Sequence, residues 1–546
     1  MSRKIVEDLI LESTSKTIAH VIEGSLLDGL VGRLDDDADV EDLRVGRFVV
    51  IEGTRNRFFS SVHNVKLEAA NAGVLRSMPP DNDLVRSSLA GTQTYVTVEL
   101  KPKLMLERDG DDVHPVKTVP GHFSRVAEAT DDDVALVFGS PGGSNLRIGS
   151  PLEMEAAVCI DMERFVERSN GVFGKTGTGK SFLVRMLLAG LIRSRTAVNL
   201  VFDMHNEYGW SSYDEVTKTT APSLKQAFDS ELLIFSLDPV SSARRKVTPD
   251  YEVQIAYKDI DVADLALLRD ELRLTDAGLT HAESLEQALG RDWLATFLEM
   301  SGDDIEELAN GAQRLHAGAL QTLQRNLRRL RKLPFLRESG TDDSVERIVK
   351  GLLAGKHVVL EFGGQTSLLA YMLVANVLTR RIHDRWRTEK ESAAADGRHD
   401  HPPQLTITIE EAHRFLSTEA SGAGIFGQIA REMRKYHVGL LVVDQRPSGI
   451  DEEVRSQLGT RIIASLDDER DQNAALAGLP DSGAMRVLIN NLEPKEQVLL
   501  SGYAIPMPIV VDVDDYYDFF RDLRRAETLV GVDPWAGRNG GSKPLA

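Results

Sequence analysis

Hydrophobic and polar positions follow three different rhythms along this 546-residue chain. Up to about residue 165 the apolar runs are short and rich in β-branched residues, as in Arg47-Phe48-Val49-Val50-Ile51-Glu52 and Tyr95-Val96-Thr97-Val98-Glu99-Leu100. Turn-formers such as Asp109-Gly110-Asp111 and Gly139-Ser140-Pro141-Gly142-Gly143 separate them. Several short strands at this spacing predict a small barrel or sandwich. Nothing in residues 1–165 looks catalytic, and the region reads as an assembly or docking domain. Over 246–345 the rhythm turns helical and charged. There Leu320, Leu323, Leu327 and Leu330 recur at helical steps and share one face. Arg325, Arg328, Arg329 and Lys332 fall opposite them at about 100° per residue, and Pro334 ends the helix.

The third rhythm is a set of strongly apolar, β-branched runs, several ending in an acid: Ala197–Asp203, His357–Phe362, Leu405–Glu410 and Val438–Asp444. Helical stretches alternate with them, among them one over about 367–390 and one over about 423–436. Strands buried on both faces and separated by helices predict a parallel α/β sheet. Arg461–Leu466 and Glu496–Gly502 add further strands. The resulting boundaries are 1–165 for the β-domain, 166–245 and 346–515 for two parts of one α/β core, 246–345 for a helical insertion, and 516–546 for a polar C-terminal tail.

The core opens on Gly174-Lys175-Thr176-Gly177-Thr178-Gly179-Lys180-Ser181, which fits G-x-x-x-x-G-K-[ST] at every fixed position. Glycines let successive amides point into one cavity, Lys180 reaches the β- and γ-phosphates, and the Ser181 hydroxyl ligates Mg²⁺. A strand ends at Phe173 and an apolar helix opens with Phe182, so the helix N-terminus faces the phosphates. The nucleotide-binding set is therefore Gly174, Lys175, Thr176, Gly177, Thr178, Gly179, Lys180, Ser181 and Phe182, and the cofactors expected are ATP and Mg²⁺.

Two carboxylates, Glu410 and Glu411, end the strand that starts at Leu405. Glu410 is assigned to the metal and Glu411 to the attacking water. Asp203 and Glu207 follow the strand expected beside the P-loop strand, and serve either the nucleotide site or a capped turn. Gln445 ends the strand expected next to the acid strand, where it either senses the γ-phosphate or shapes a turn. Arg431 and Arg434 have no obvious local use. Either one stabilises transition-state charge in a neighbouring subunit, or they form surface ion pairs. The basic face with Arg325, Arg328 and Arg329 contacts DNA phosphates, or is a solvated face paired with the acidic helices before it.

Charge and length change this picture little. A formal net charge of −20, from 84 acidic against 64 basic residues, opposes nonspecific nucleic-acid binding over the whole surface but leaves room for a local basic channel. The length predicts about three or four domains. One cysteine, Cys159, excludes a disulfide framework and a multi-cysteine zinc site. Met1–Asp8 has no apolar signal core. No run reaches the roughly 18 apolar residues of a membrane span, so a cytoplasmic protein without membrane contact is expected.

Taken together, Phe173–Ser181, Asp203-Met204-His205-Asn206-Glu207-Tyr208, Ile409-Glu410-Glu411-Ala412-His413, Arg431-Glu432-Met433-Arg434-Lys435-Tyr436, Asp444-Gln445-Arg446-Pro447 and Ser456-Gln457-Leu458-Gly459-Thr460 resemble, in order and spacing, the HerA family of DNA translocases, relatives of the FtsK pumps. The resemblance spans the whole ATPase core. It implies an α/β fold with a RecA-like P-loop ATPase core, an N-terminal β-barrel (HAS-barrel-like) domain and a helical insertion. It also implies a homohexameric ring that hydrolyses ATP at subunit interfaces and threads double-stranded DNA. The implied partner is a nuclease or effector, NurA-like in DNA end processing, or Sir2-like or another nuclease in anti-phage defence. Two alternatives stand beside a DNA translocase/helicase. One is a ring ATPase acting on protein. The other is an ATP-locked ring scaffold that positions and activates an effector with little translocation.

Overall fold

The computed structural model describes residues 16–70 and 94–529, apart from 37, 109, 111, 153, 215–217, 312–314, 339–342, 366, 399–400, 418–424 and 480–481. The chain divides into two units, Met1–Ile160 with Ile505–Asp512, and Asp161–Ala504 with Val513–Ala546.

The first unit is built on β1 (Thr17–Ser25), β2 (Gly29–Leu34), β3 (Phe48–Glu52), β4 (Asn56–Ala69), β5 (Thr94–Glu107), β6 (Val113–Pro115) and β7 (Arg125–Glu128). They run in the order β2-β1-β7-β3-β4-β5-β6, and a further β2–β5 pairing closes six of them into a barrel. The choice left open between barrel and sandwich thus falls to the barrel. Its interior is apolar, with Ile18, Val49, Ile51, Phe58, Val98, Leu100 and Val126 in one cluster. Closure removes the unpaired strand edges that an open sheet would expose. The helix Asp131–Phe138 starts on a capping box between Thr130 and Asp133. Asp133 also takes Arg57 at 2.6 Å, and the Phe138 ring packs against Phe48 and Phe59.

In the second unit the sheet order is Tyr251–Glu252, Leu232–Ser236, His357–Glu361, Val198–Asp203, Leu405–Glu410, Val438–Asp444, Ser169–Phe173, Leu458–Ile463, Gln497–Gly502. Neighbours are parallel until the final pair, which is antiparallel. Every residue of Val198–Asp203, Leu405–Glu410 and Val438–Asp444 is buried. Helices cover both faces of such a sheet, which is why these strands read as continuous apolar runs. Ligands bind such sheets beyond the carboxyl ends of the strands, and that is where the P-loop and all the strand-end acids lie. The order corrects one expectation. Val198–Asp203 is not beside the P-loop strand; Leu405–Glu410 and Val438–Asp444 lie between them. Sequential proximity suggested adjacency, but the helix Lys180–Ser194 carries the chain across two strand positions.

The helical insertion packs its leucine stripe inward: Leu320, Leu323, Leu327 and Leu330 are all buried. The helix itself is Ala317–Leu327, tightening to 3₁₀ over Arg328–Lys332. Asp264 of the insertion is fully buried on Arg380 and Asn376 of the long helix Leu368–Ala395. That helix runs past the expected end near 390, because Ala393 is still packed in the core. The expected tail also begins as structure. Tyr516–Leu529 is a helix whose Phe520 and Leu523 are buried, and whose Tyr516 stacks on Phe182 with ring centroids 4.6 Å apart. Its many charges hid an amphipathic pattern. Residues 530–546, with the expected flexible segment Gly537–Lys543, lie outside the described residues, as does Met1–Asp8. Among the described residues no helix is long and apolar enough to cross a membrane.

Candidate active site

The P-loop leaves the strand Ser169–Phe173 and enters the helix at Lys180. Gly177 and Gly179 both hold φ of 81°, in the left-handed region. Gly174 is required for a different reason: a Cβ there would lie 2.8 Å from Ala464 Cβ and from Thr178 Oγ1. The helix N-terminus carries no side-chain cap, so its amides face the loop's cavity. Lys180 Nζ donates to the carbonyls of Gly174 at 2.5 Å and Lys175 at 2.7 Å. Burial draws Lys180 below the ordinary lysine pKa, while Glu411, Asp444, Glu410 and Glu207 around it pull the other way. Thr178 ties back to the Lys175 carbonyl at 2.8 Å. Lys175 is held by Asp467 at 2.7 Å and, through its amide, by the Ser465 carbonyl at 3.0 Å. Ser181 follows Lys180 in the first turn and is half-buried. Phe182 is also half-buried, its ring engaged by Tyr516 and by the Arg185 guanidinium 5.5 Å away.

Glu410 points into the core. Its Oε1 accepts the Tyr208 hydroxyl at 2.8 Å, and the Tyr371 hydroxyl donates to its backbone carbonyl at 3.3 Å. Its Oε2 is buried with no hydrogen-bond partner among the described residues. Asp203 is fully buried too, accepting the amides of Glu207 at 2.8 Å and Tyr208 at 2.9 Å. Burial raises Glu410 to about 8, with Asp203, Glu207 and Glu411 adding to the shift, and raises Asp203 to about 7, with Glu361 and Glu207 adding to it. An orphaned carboxylate oxygen among like charges fits a cation, and oxygen donors of this kind are those that suit Mg²⁺.

Glu411 has a left-handed backbone, φ 48° and ψ 44°, which turns its side chain out of the strand direction. Gln445 Nε2 donates to Glu411 Oε1 at 3.0 Å, and Thr176 Oγ1 of the P-loop donates to Gln445 Oε1 at 2.6 Å. His413 Nδ1 lies 3.9 Å from Glu411 and 3.0 Å from the buried Asp444. The hydrogen bond to Asp444 holds the His413 pKa above the ordinary histidine value. Thus the strand Val438–Asp444, between the P-loop strand and the acid strand, delivers Gln445 to both.

Other predicted residues lie apart. Arg434 is exposed and pairs with Glu167 at 3.5 Å, beside the amino end of the P-loop strand. The five residues of that strand separate it from its own P-loop by about 16 Å. Arg431 is in the helix Ile425–Glu432, its side chain outside the described residues. Arg325 and Arg328 are exposed in the insertion, and Arg329 donates to the Glu271 carbonyl at 2.8 Å. Sequence reasoning missed Tyr208 and Tyr371, which hold Glu410, and Lys495, whose turn (φ 73°) abuts Gly179. Tyr208 was findable at the end of the Asp203–Tyr208 stretch. Tyr371, inside a long helix, carried no local signal.

Residues 146–382 match the family described as "Helicase HerA, central domain". The chain is 25% identical over 516 residues to the DNA double-strand break repair helicase HerA of Pyrococcus furiosus, covering 88% of each chain. To the protein of the same name from Saccharolobus solfataricus it is 23% identical, over 86% of this chain and 88% of that one. Among solved structures, VirB4 of Thermoanaerobacter pseudethanolicus aligns at 13% identity over 69% of this chain and 98% of that one, with a TM-score of 0.45.

Proposed function

Because this chain belongs to the HerA family of P-loop ATPases and is an ATP-hydrolysing enzyme, we propose that it is an ATP-driven double-stranded DNA translocase and helicase working in DNA repair. The observation that carries the reading is the strand-end carboxylate Glu411, brought within one intervening side chain of the P-loop. ATP lies with its phosphates on the 174–181 loop, where Lys180 exchanges the Gly174 and Lys175 carbonyls for phosphate oxygens. Ser181 and Glu410 would hold a Mg²⁺ ion, which would screen the charge on the phosphate oxygens. Glu411 orients the water for in-line attack on the γ-phosphorus, and Gln445 reports loss of the γ-phosphate.

Arg434 or Arg431 stabilises the developing charge from a neighbouring subunit. The placement of Arg434 far from its own P-loop, on a surface ion pair with Glu167, gives it no role at its own nucleotide and supports an action in trans. A ring, read as a homohexamer, follows from an active site completed by its neighbour. A nuclease or effector on the barrel, in end processing or anti-phage defence, is the finest part of this reading. Exposed apolar side chains of the barrel, Leu27 at 91% and Phe123 at 76%, support a docking role. Asp203 and Glu207 add negative charge around Glu410, which would favour a cation there.

The test is steady-state ATP hydrolysis with and without linear duplex DNA, on wild type and Glu411→Gln. Duplex DNA is expected to raise turnover, and the variant to lose it. Turnover that ignores DNA would instead favour the ring scaffold.

A further inference from the structure

Glu411 is not simply poised beside the P-loop; it is held. Its left-handed backbone aims the carboxylate at the end of the intervening strand, where Gln445 Nε2 donates to Oε1 at 3.0 Å. An ionised carboxylate only accepts hydrogen bonds, so only the NH₂ end of the Gln445 amide can face it. The amide oxygen must then face the other way, and there Thr176 Oγ1 donates to it at 2.6 Å. The carboxylate therefore fixes which end of Gln445 it meets, and the hydroxyl, donating to the other end, closes the chain of bonds to the loop. Thr176 is itself exposed at the outer turn of the loop, between Gly177 and the anchored Lys175. The phosphate-binding loop and the acid are thus joined by two consecutive hydrogen bonds, through a side chain with no other hydrogen-bond partner among the described residues.

We propose that Thr176 is a positioning residue that acts through Gln445 as a latch on Glu411. The proposal rests on reading Glu411 as the group that orients the water. With the Thr176 hydroxyl on the amide oxygen, Gln445 occupies a carboxylate oxygen that the water needs. A phosphate arriving on the loop offers acceptor oxygens to both the hydroxyl and the amide, and hydrogen bonds to a charged acceptor are stronger than neutral ones. Once ATP is bound, the Thr176–Gln445 bond is exchanged for bonds to phosphate in a separate step, which frees Glu411 and limits turnover. No proton moves and no covalent bond changes in this step. Hydrolysis is coupled to correct filling of the loop, because the acid is unavailable until then.

The experiment is an ATP titration of steady-state turnover, without DNA, on wild type, Thr176→Val, Thr176→Ser, Glu411→Gln and the double variant Thr176→Val with Glu411→Gln. Thermal melts check that each variant folds. Removing the hydroxyl is expected to raise kcat roughly three- to tenfold with KM for ATP unchanged. Thr176→Ser, which restores the hydroxyl, brings kcat back toward wild type, and the double variant loses the gain. A kcat for Thr176→Val that is unchanged or lower overturns the latch and leaves Glu411 as the base. A gain that survives in the double variant overturns it as well. A Glu411→Gln protein with wild-type turnover removes the base assignment, and the latch with it.

Discussion

Two carboxylates of the ATPase unit, Asp264 and Glu410, are similarly withdrawn from water and differ in everything that surrounds them. Asp264 accepts from Arg380 and from Asn376 at 3.0 Å, and also caps its own short helix through the Asp261 amide. Burial raises its pKa, and Arg380 acts against the rise. Glu410 has one hydroxyl donor, an unpartnered oxygen, and Asp203, Glu207 and Glu411 as like-charged neighbours. A buried acid matched by a guanidinium holds two elements together, here the insertion and the long helix. A buried acid left among acids is costly to keep, and such a cost is retained where a cation and a reaction use it. Burial alone therefore does not distinguish a structural carboxylate from a functional one; the sign of the neighbouring charges does.

The largest effects should separate the functional group of acids from the structural one. Glu411→Gln is expected to keep nucleotide binding and to lose about two or more orders of magnitude in turnover. Lys180→Ala loses binding as well, which a fluorescent nucleotide titration reads directly. If Glu411→Gln turns over normally, Asp203 and Glu207 become the candidates for the base.

Next in size is the structural pair. Arg380→Ala strands Asp264 without its cation and should cost about 3–5 kcal/mol in urea unfolding. Turnover per folded molecule should stay the same. A smaller stability loss together with a collapse in turnover would erase the distinction drawn between the two carboxylates.

The pH dependence of stability sharpens it further. Asp203, at about 7, and Glu410, at about 8, both lie above their unfolded-state values of 3.8 and 4.5. The folded protein therefore binds more protons between those limits, and stability falls as pH rises through them. Metal-free protein should melt at lower temperature at pH 8 than at pH 5, and Glu410→Gln should flatten that slope by on the order of 2 kcal/mol. A flat wild-type profile would mean the acids are not crowded as described. The smallest effect belongs to the insertion's basic face. Arg325→Ala with Arg328→Ala should change stability by less than about 0.5 kcal/mol. The salt dependence of duplex binding should fall by about one charge per side chain. No change in that slope would assign both arginines to a solvated face.

What was legible in the sequence was legible because it is local. A phosphate cradle is made by consecutive residues whose amides must converge, so glycines at 174, 177 and 179 and the lysine at 180 announce it without any tertiary information. The leucine stripe 320–330 was readable for the same reason: its period is that of one helix, and all four side chains are buried. The barrel was visible as strand-length runs, but its closure through β2 and β5 depends on residues some seventy positions apart (Leu30 with Leu100) and could not be read from either run alone. The Tyr516–Leu529 helix was missed because charges are interleaved with its apolar residues, which gain their meaning only against Phe182 and the core.

By itself, then, the sequence determined that this chain carries a nucleotide-binding strand–loop–helix unit, that a second strand ends in paired acids, and that its motifs resemble those of the HerA family. Only the tertiary structure decided the strand order, and with it which side chain stands between loop and acid. Parallel strands have no direct hairpin connection, so each crossover helix is free to set its strand beside a distant neighbour. That freedom puts Val438–Asp444 between the P-loop and the acid strand, and so makes Gln445, rather than Asp203, the residue that touches both.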